Sequence, residues 1–206
     1  MGCRNFLSLK AIVRSFVICL AFMVNLGCSG QSRLESGRQD ITVFETLDYY
    51  LYYPAAYNEQ PKERFPLLLF LHGGGESGAP LELIRENGPP KLLAEGKEFP
   101  FLILAPQNPH KKQWWNVRAV MELLDRIVAE NRVDLDRIYL TGLSRGGNAC
   151  WELAVQYPDT FAAMAVVCGM APLPYAHWIY EGVGHNAWEQ AYLEEELYNW
   201  FLQQSR

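Results

Sequence analysis

Histidine is scarce, with four residues in a chain of 206, and none stands beside a cysteine at metal-ligand spacing. A metal centre is thereby denied its usual donors. Cysteine is almost as rare, and beyond the N-terminal segment only Cys28, Cys150 and Cys168 occur. Cys150 and Cys168 fall inside a helix-like and a strand-like run, so two separately buried thiols are expected rather than a disulfide. Internal repeats and low-complexity tracts are absent. No cluster of Lys and Arg reaches the size that nucleic-acid binding requires, which excludes that class of partner. The longest apolar run near the N-terminus, Phe16–Val24, is far short of the roughly 20 residues needed to cross a bilayer as a helix.

That run does follow Arg4, Lys10 and Arg14 without an intervening acid, and it leads into Asn25-Leu26-Gly27-Cys28. The pattern predicts a cleaved signal peptide over residues 1–27 and therefore export. Leu-Gly-Cys resembles the end of a bacterial lipobox, which would place a lipid on Cys28; Asn25 stands where that motif prefers an aliphatic residue, and an ordinary cleaved signal is the alternative. Ser29 does not resemble an inner-membrane retention signal. The expected location is the periplasm or an outer-membrane lipid anchor at Cys28, or otherwise secretion. Once residues 1–27 are gone, the 18 basic residues become 15 against 23 acids, net −8. Such a chain is repelled by an anionic membrane surface. Residues 28–40 read as a polar tether, and 41–206 as one domain with a single core.

Short β-prone segments occur at Ile41–Phe44 and Tyr49–Tyr53. Pro66–Leu71 and Pro100–Ala105 are continuous apolar runs, as is Phe161–Val167, the profile of strands buried on both faces. Arg137–Thr141 is a further strand. Val117, Val120, Met121, Leu124, Ile127 and Val128 recur at helical spacing. Asn148–Gln156 reads as a helix, and Glu189–Gln204 as an amphipathic helix with Leu193, Leu197, Trp200 and Phe201 inward. Buried strands alternating with helices predict an α/β fold, a mostly parallel sheet covered on both faces.

Gly142-Leu143-Ser144-Arg145-Gly146 matches G-x-S-x-G between a predicted strand and a predicted helix, the setting of a nucleophile elbow. Its glycines permit a sharp turn that presents Ser144, with the backbone N–H of Arg145 available to an oxyanion. His72-Gly73-Gly74-Gly75 follows an earlier strand, where Gly74 and Gly75 are candidate oxyanion donors. His72 itself reads as a loop-packing residue. The base must be a histidine after the serine, which leaves His177 and His185. His185, in Gly182-Val183-Gly184-His185 before the last helix, is favoured. Trp114 and Trp115 form either a substrate wall or packing under a loop.

Together LLLFLHGGGESG, RENGPPKLL, LILAPQNP with WWN, DRIYLTGLSRGGNACWELA, YPDTFAAMAVVCGM and YEGVGHNAWEQAY resemble the secreted esterase or "predicted peptidase" branch of the α/β-hydrolase superfamily. That branch is similar to polyhydroxybutyrate-depolymerase-like and feruloyl-esterase-like proteins. The resemblance spans most of Tyr49–Arg206. It implies an α/β-hydrolase three-layer sandwich acting on a small-molecule or polymer ester without a cofactor. It makes Ser144 the nucleophile, His185 the base, and Gly74, Gly75 and the Arg145 N–H the oxyanion hole, with Trp114 and Trp115 near the substrate entrance.

The same resemblance exposes a gap. In relatives the strand ending at Cys168-Gly169 is followed by another strand that bears the triad aspartate, then a helix and a further strand before the histidine loop. Here CGMAPLP passes to IYEGVGH with no counterpart of that segment. The acids between Ser144 and His185 are Glu152, Asp159 and Glu181. Glu152 lies eight positions along a helix, about 12 Å from the serine. Asp159 precedes its strand at the far edge of the sheet. Glu181 is a weak candidate that needs a tight turn back to the ring, and Glu76 can approach the cleft only by breaking the family's chain order. The linker after Met170 is also too short for an ordinary parallel crossover, so the Trp178–Tyr180 segment is not expected to pair beside Phe161–Val167. The sequence therefore predicts an exported serine esterase impaired by loss of its acid. A non-catalytic hydrolase fold serving as a binding protein, or the product of an internal deletion, is the alternative. A prolyl-oligopeptidase-like peptidase is a third reading, though nothing resembles the extra propeller or lid domain of those enzymes.

Overall fold

The structure, a computed structural model, describes residues 45–170, 180 and 182–206. The predicted signal peptide, tether, Cys28, the Ile41–Phe44 segment, His177, Trp178 and Glu181 lie outside these residues. The described residues belong to one compact unit.

Five strands build its sheet: β1 (Tyr49–Tyr52), β2 (Phe65–Leu71), β3 (Leu102–Pro106), β4 (Val133–Leu143) and β5 (Ala163–Val167). Their spatial order is β1-β3-β2-β4-β5. β1 runs antiparallel to β3, and every other pairing is parallel. The helices are α1 (Ala56–Glu59), α2 (Gly88–Ala94), α3 (Val117–Glu130), α4 (Arg145–Gln156), α5 (Trp188–Ala191) and α6 (Glu195–Leu202), with a 3-10 turn at Leu81–Glu86.

Why β2 needs no polar residue is visible in its two neighbours and two faces. Leu67, Leu69 and Leu71 point into one core layer, which Val117, Val120, Leu124 and Ile127 of α3 and Ala149, Cys150 and Leu153 of α4 close. Leu68 and Phe70 point into the other, which Leu92 of α2, Tyr192 and α6 residues Leu197, Tyr198 and Phe201 close. This period-of-two alternation makes the three layers of the sandwich. Each fully buried Leu or Phe contributes about 2–3 kcal/mol of apolar burial, so the sheet centre is the most stable part of the scaffold.

Two expectations are corrected. Phe161–Val167 was expected to be buried on both faces, but β5 is half-buried along most of its length. It pairs only with β4 among the described residues, so one flank lacks a neighbouring strand. The single helix expected over Glu189–Gln204 is broken into α5 and α6. Leu193 falls in the break and is 62% exposed, and Trp200 is 38% exposed. Tyr192 and Tyr198 fill the core instead, and Tyr198 donates its hydroxyl to the Tyr192 carbonyl across the break.

The topology also locates a crevice. From β2 the chain crosses by α2 to β3 on one side, and from β4 by α4 to β5 on the other. Because α2 and α4 cover opposite faces of the sheet, the carboxyl ends of β2 and β4 open between them. Leu71 pairs with Gly142, so the two ends are level.

Candidate active site

Ser144 sits directly after β4 at this crevice with φ 51° and ψ −112°, a positive φ that a side-chain-bearing residue rarely adopts. The flanking glycines explain how the turn is tolerated. A Cβ on Gly146 would lie 2.0 Å from the Leu71 carbonyl oxygen, and one on Gly142 would lie 2.7 Å from the Gly146 backbone. Only hydrogen fits at either position, so α4 can start directly against β2. The strained serine is thereby raised above the sheet.

His185 reaches it. Its Nε2 lies 2.8 Å from Ser144 Oγ, although 41 residues separate the two in the chain. Below the histidine loop, burial raises the pKa of the Cys168 thiol just after β5, and the backbone N–H groups of Ala187 and Trp188 oppose that rise. The Tyr192 hydroxyl lies 3.0 Å from Thr141 Oγ1, three residues before Ser144, and Thr141 donates to the Ala165 carbonyl. The imidazole is exposed, and the Trp188 ring meets it edge-on at 5.4 Å.

Among the described residues, the histidine–carboxylate pair is His110 with Glu45, remote in sequence from Ser144. No described carboxylate pairs with His185. Glu152 is exposed and accepts from Gln156 on its own helix. Asp159 is exposed beyond the far end of α4, where its backbone carbonyl accepts from Arg206. Glu181, the weak candidate for the acid, lies outside the described residues. Glu76 is buried, 5% exposed, and its Oε1 accepts from Asn87 Nδ2 at 2.8 Å.

The glycine loop after β2 lies alongside Ser144. A Cβ on Gly73 would fall 3.6 Å from Ser144 Cβ, and one on Gly74 would meet the Arg145 guanidinium at 2.9 Å. Gly75 is exposed with open space around it. Among the described residues, the N–H groups of Gly74, Gly75 and Arg145 have no backbone acceptor. The loop is held by Gln107, whose Nε2 donates to the carbonyls of Glu76 and Ala79.

His72 is a structural residue, as the sequence indicated. It is fully buried, its Nδ1 lies 2.8 Å from the Gly73 carbonyl oxygen, and its Nε2 accepts the Asn108 N–H at 3.1 Å. Burial pulls its pKa below the ordinary 6.5, against the opposing effects of the Gly73 carbonyl, Glu76 and Gln107, and the Arg145 cation adds the smallest contribution, also downward. The two tryptophans part company. Trp115 is 5% exposed, packs its ring 4.8 Å from His72 and donates Nε1–H to the His72 carbonyl, so it supports the loop from beneath and is no substrate wall. Trp114 is 61% exposed, with the Arg145 guanidinium 5.9 Å from its ring.

Sequence reasoning missed the Arg145 side chain, which donates to the carbonyls of Lys111 and Gln113 and so pins the Trp114 loop to the elbow. It also missed Asn87 and Trp188. Their signal was present in RENGPP and HNAW, but nothing local reveals that these two stretches meet. Among the described residues, no three His, Cys, Asp or Glu side chains gather as a metal set.

Residues 47–178 match the family model described as Esterase PHB depolymerase. The chain belongs to this esterase family. Feruloyl esterase B of Thermothelomyces thermophilus is 24% identical over 156 residues, covering 67% of this chain and 50% of that protein. Poly(3-hydroxybutyrate) depolymerase of Ralstonia pickettii is 27% identical over 146 residues, covering 61% and 30%. The chain thus spans half or less of the length of these relatives. A crystal structure of a thermostable esterase superposes with a TM-score of 0.63 at 22% identity, over 78% of this chain and 60% of that one. That likeness establishes the α/β-hydrolase fold.

Proposed function

We propose that this chain is a serine esterase working through a Ser144–His185 pair. The observation that carries the reading is the 2.8 Å contact between Ser144 Oγ and His185 Nε2 at a strained elbow. In the proposed cycle Ser144 Oγ attacks the ester carbonyl carbon as His185 Nε2 takes its proton. The negative charge on the carbonyl oxygen is met by the Arg145 N–H and by Gly74, with Gly75 at the open side of the same loop. The alcohol leaves with the proton from His185. Water, deprotonated by the same nitrogen, then releases the acid and restores Ser144.

The substrate class is a carboxylic ester, small or polymeric, as the names of the relatives suggest, with Trp114 as an apolar wall. The His185 ring lacks an orienting acid among the described residues, and an absent acid lowers turnover by about 10⁴. The enzyme is accordingly expected to be slow. Residues 1–27 are read as a cleaved leader that exports the chain, with Cys28 as the lipid attachment point.

Purified protein is expected to take a fluorophosphonate probe on Ser144 and to hydrolyse a p-nitrophenyl ester slowly, both lost in Ser144→Ala. Failure of the wild type to take the probe would sink the esterase reading. It would favour instead a non-catalytic fold, a second reading that the exposure of His185 and its lack of a described carboxylate support.

A further inference from the structure

A buried carboxylate close to a nucleophile calls for a function, because burying a charge is costly unless it is partnered. Glu76 is such a group. Its Oε2 would lie 3.4 Å from a Cβ on Gly73, the same point that is 3.6 Å from Ser144 Cβ. It does not pair with His185. Its partner is Asn87, at the N-terminal end of α2.

Glu76 Oε1 accepts in this contact, and that sets which way the Asn87 amide faces. The amide NH₂ turns to Glu76 Oε1 at 2.8 Å, and the amide oxygen turns outward. That oxygen accepts the indole Nε1–H of Trp188 at 3.0 Å, across 101 residues of sequence. The Trp188 ring, so fixed, meets His185 edge-on, and His185 meets Ser144. A chain of three contacts thus runs from buried Glu76 on the oxyanion loop to the base, and a fourth joins the base to Ser144.

We propose that Glu76 and Asn87 are positioning residues that hold Trp188 against the His185 ring and so orient Nε2 toward Ser144. The inference rests on the serine-esterase reading above. It assigns to a packed indole the orienting task that a carboxylate performs in a complete triad. It also couples the two halves of the site: the loop that carries Gly74 and Gly75 is the loop that steers the base. Packing fixes the plane of the ring but supplies no charge to the imidazolium, so the relay restores orientation without the electrostatic part of an acid's contribution.

The test is a double-mutant cycle in the full chain with Asn87→Leu and Trp188→Phe, assayed with a p-nitrophenyl ester, with thermal unfolding followed in parallel. The Trp188→Phe variant keeps an aromatic ring but loses the indole N–H. Misorientation of a base acts in the transition state rather than on substrate binding, so kcat is expected to fall about tenfold or more in each single variant with KM unchanged. Because both changes break one chain, the double variant should be no slower than the slower single. Glu76→Gln, which frees the Asn87 amide to turn over, should fall in the same direction. Unchanged kcat in both single variants, or losses that multiply in the double, would overturn the relay; so would KM and unfolding temperature moving together with kcat. If Asn87→Leu does not fold, Trp188→Phe decides alone, since the relay requires its kcat to drop. A wild type that takes no fluorophosphonate overturns the esterase reading and the relay with it, whereas a labelled, active wild type with unaffected variants overturns the relay only.

Discussion

Ser144 and His72 show how differently two polar residues a few ångströms from the same crevice are treated. Ser144 is forced into a positive φ by the approach of Gly146 to Leu71, and its hydroxyl is left for the imidazole. His72 is sunk under the glycine loop and satisfied on both ring nitrogens. Its depressed pKa makes a stability prediction. Below its ordinary value of 6.5 the unfolded chain takes up a proton that folded His72 resists. Stability is therefore complete above that pH and declines as pH falls through 6.5 toward the lower folded value. Thermal unfolding from pH 8 to pH 5 should show this decline, and His72→Asn, though less stable throughout, should show a shallower one. Equal slopes for the two proteins would refute the assignment. At this scale the sequence was informative about chemistry: G-x-S-x-G, HGGG and the Gly-flanked His185 are each recognisable alone. It was silent on Asn87 and Trp188, whose roles arise only from contacts between distant segments.

Among the elements, those with a full periodic pattern were legible. Val117, Val120, Met121, Leu124 and Ile127 of α3 are buried as their spacing requires, and β2 is buried throughout. The C-terminal helix misled because Leu193, Leu197, Trp200 and Phe201 fit one continuous stripe, while the chain breaks after Tyr192 so that its hydroxyl can reach Thr141. The break predicts opposite outcomes at two leucines. Leu193→Glu should change stability by no more than about 0.5 kcal/mol, as at other exposed sites. Leu197→Ala should cost about 2–4 kcal/mol through the cavity left in that core layer. Denaturant titration separates them, and a large loss at Leu193 would mean that α6 is continuous with α5 in solution. β5 was misjudged for another reason: apolar composition reports a strand's affinity for a core, whereas its burial depends on whether a neighbour lies on each side.

For the whole molecule, the match to the esterase family covers residues 47–178 and the chain spans half or less of the relatives' length. The proposed export of the chain is checked by mass spectrometry of the mature protein after expression in a bacterium. A new N-terminus at Cys28, with added acyl mass if it is lipidated, is the expected result; an intact leader on the accumulated soluble protein would overturn it.

The α/β class, the succession of strands along the chain, and the elbow motif and Gly-flanked histidine that the proposed function uses were legible in the sequence itself, because apolar period and glycine placement are local consequences of local sterics. The tertiary structure alone decided that His185 meets Ser144, that Trp115 is buried while Trp114 is not, and that Glu76 turns to Asn87 rather than to the base. Those outcomes depend on which loops the crevice between β2 and β4 brings together, and side-chain contacts between segments far apart in the chain leave no periodic trace.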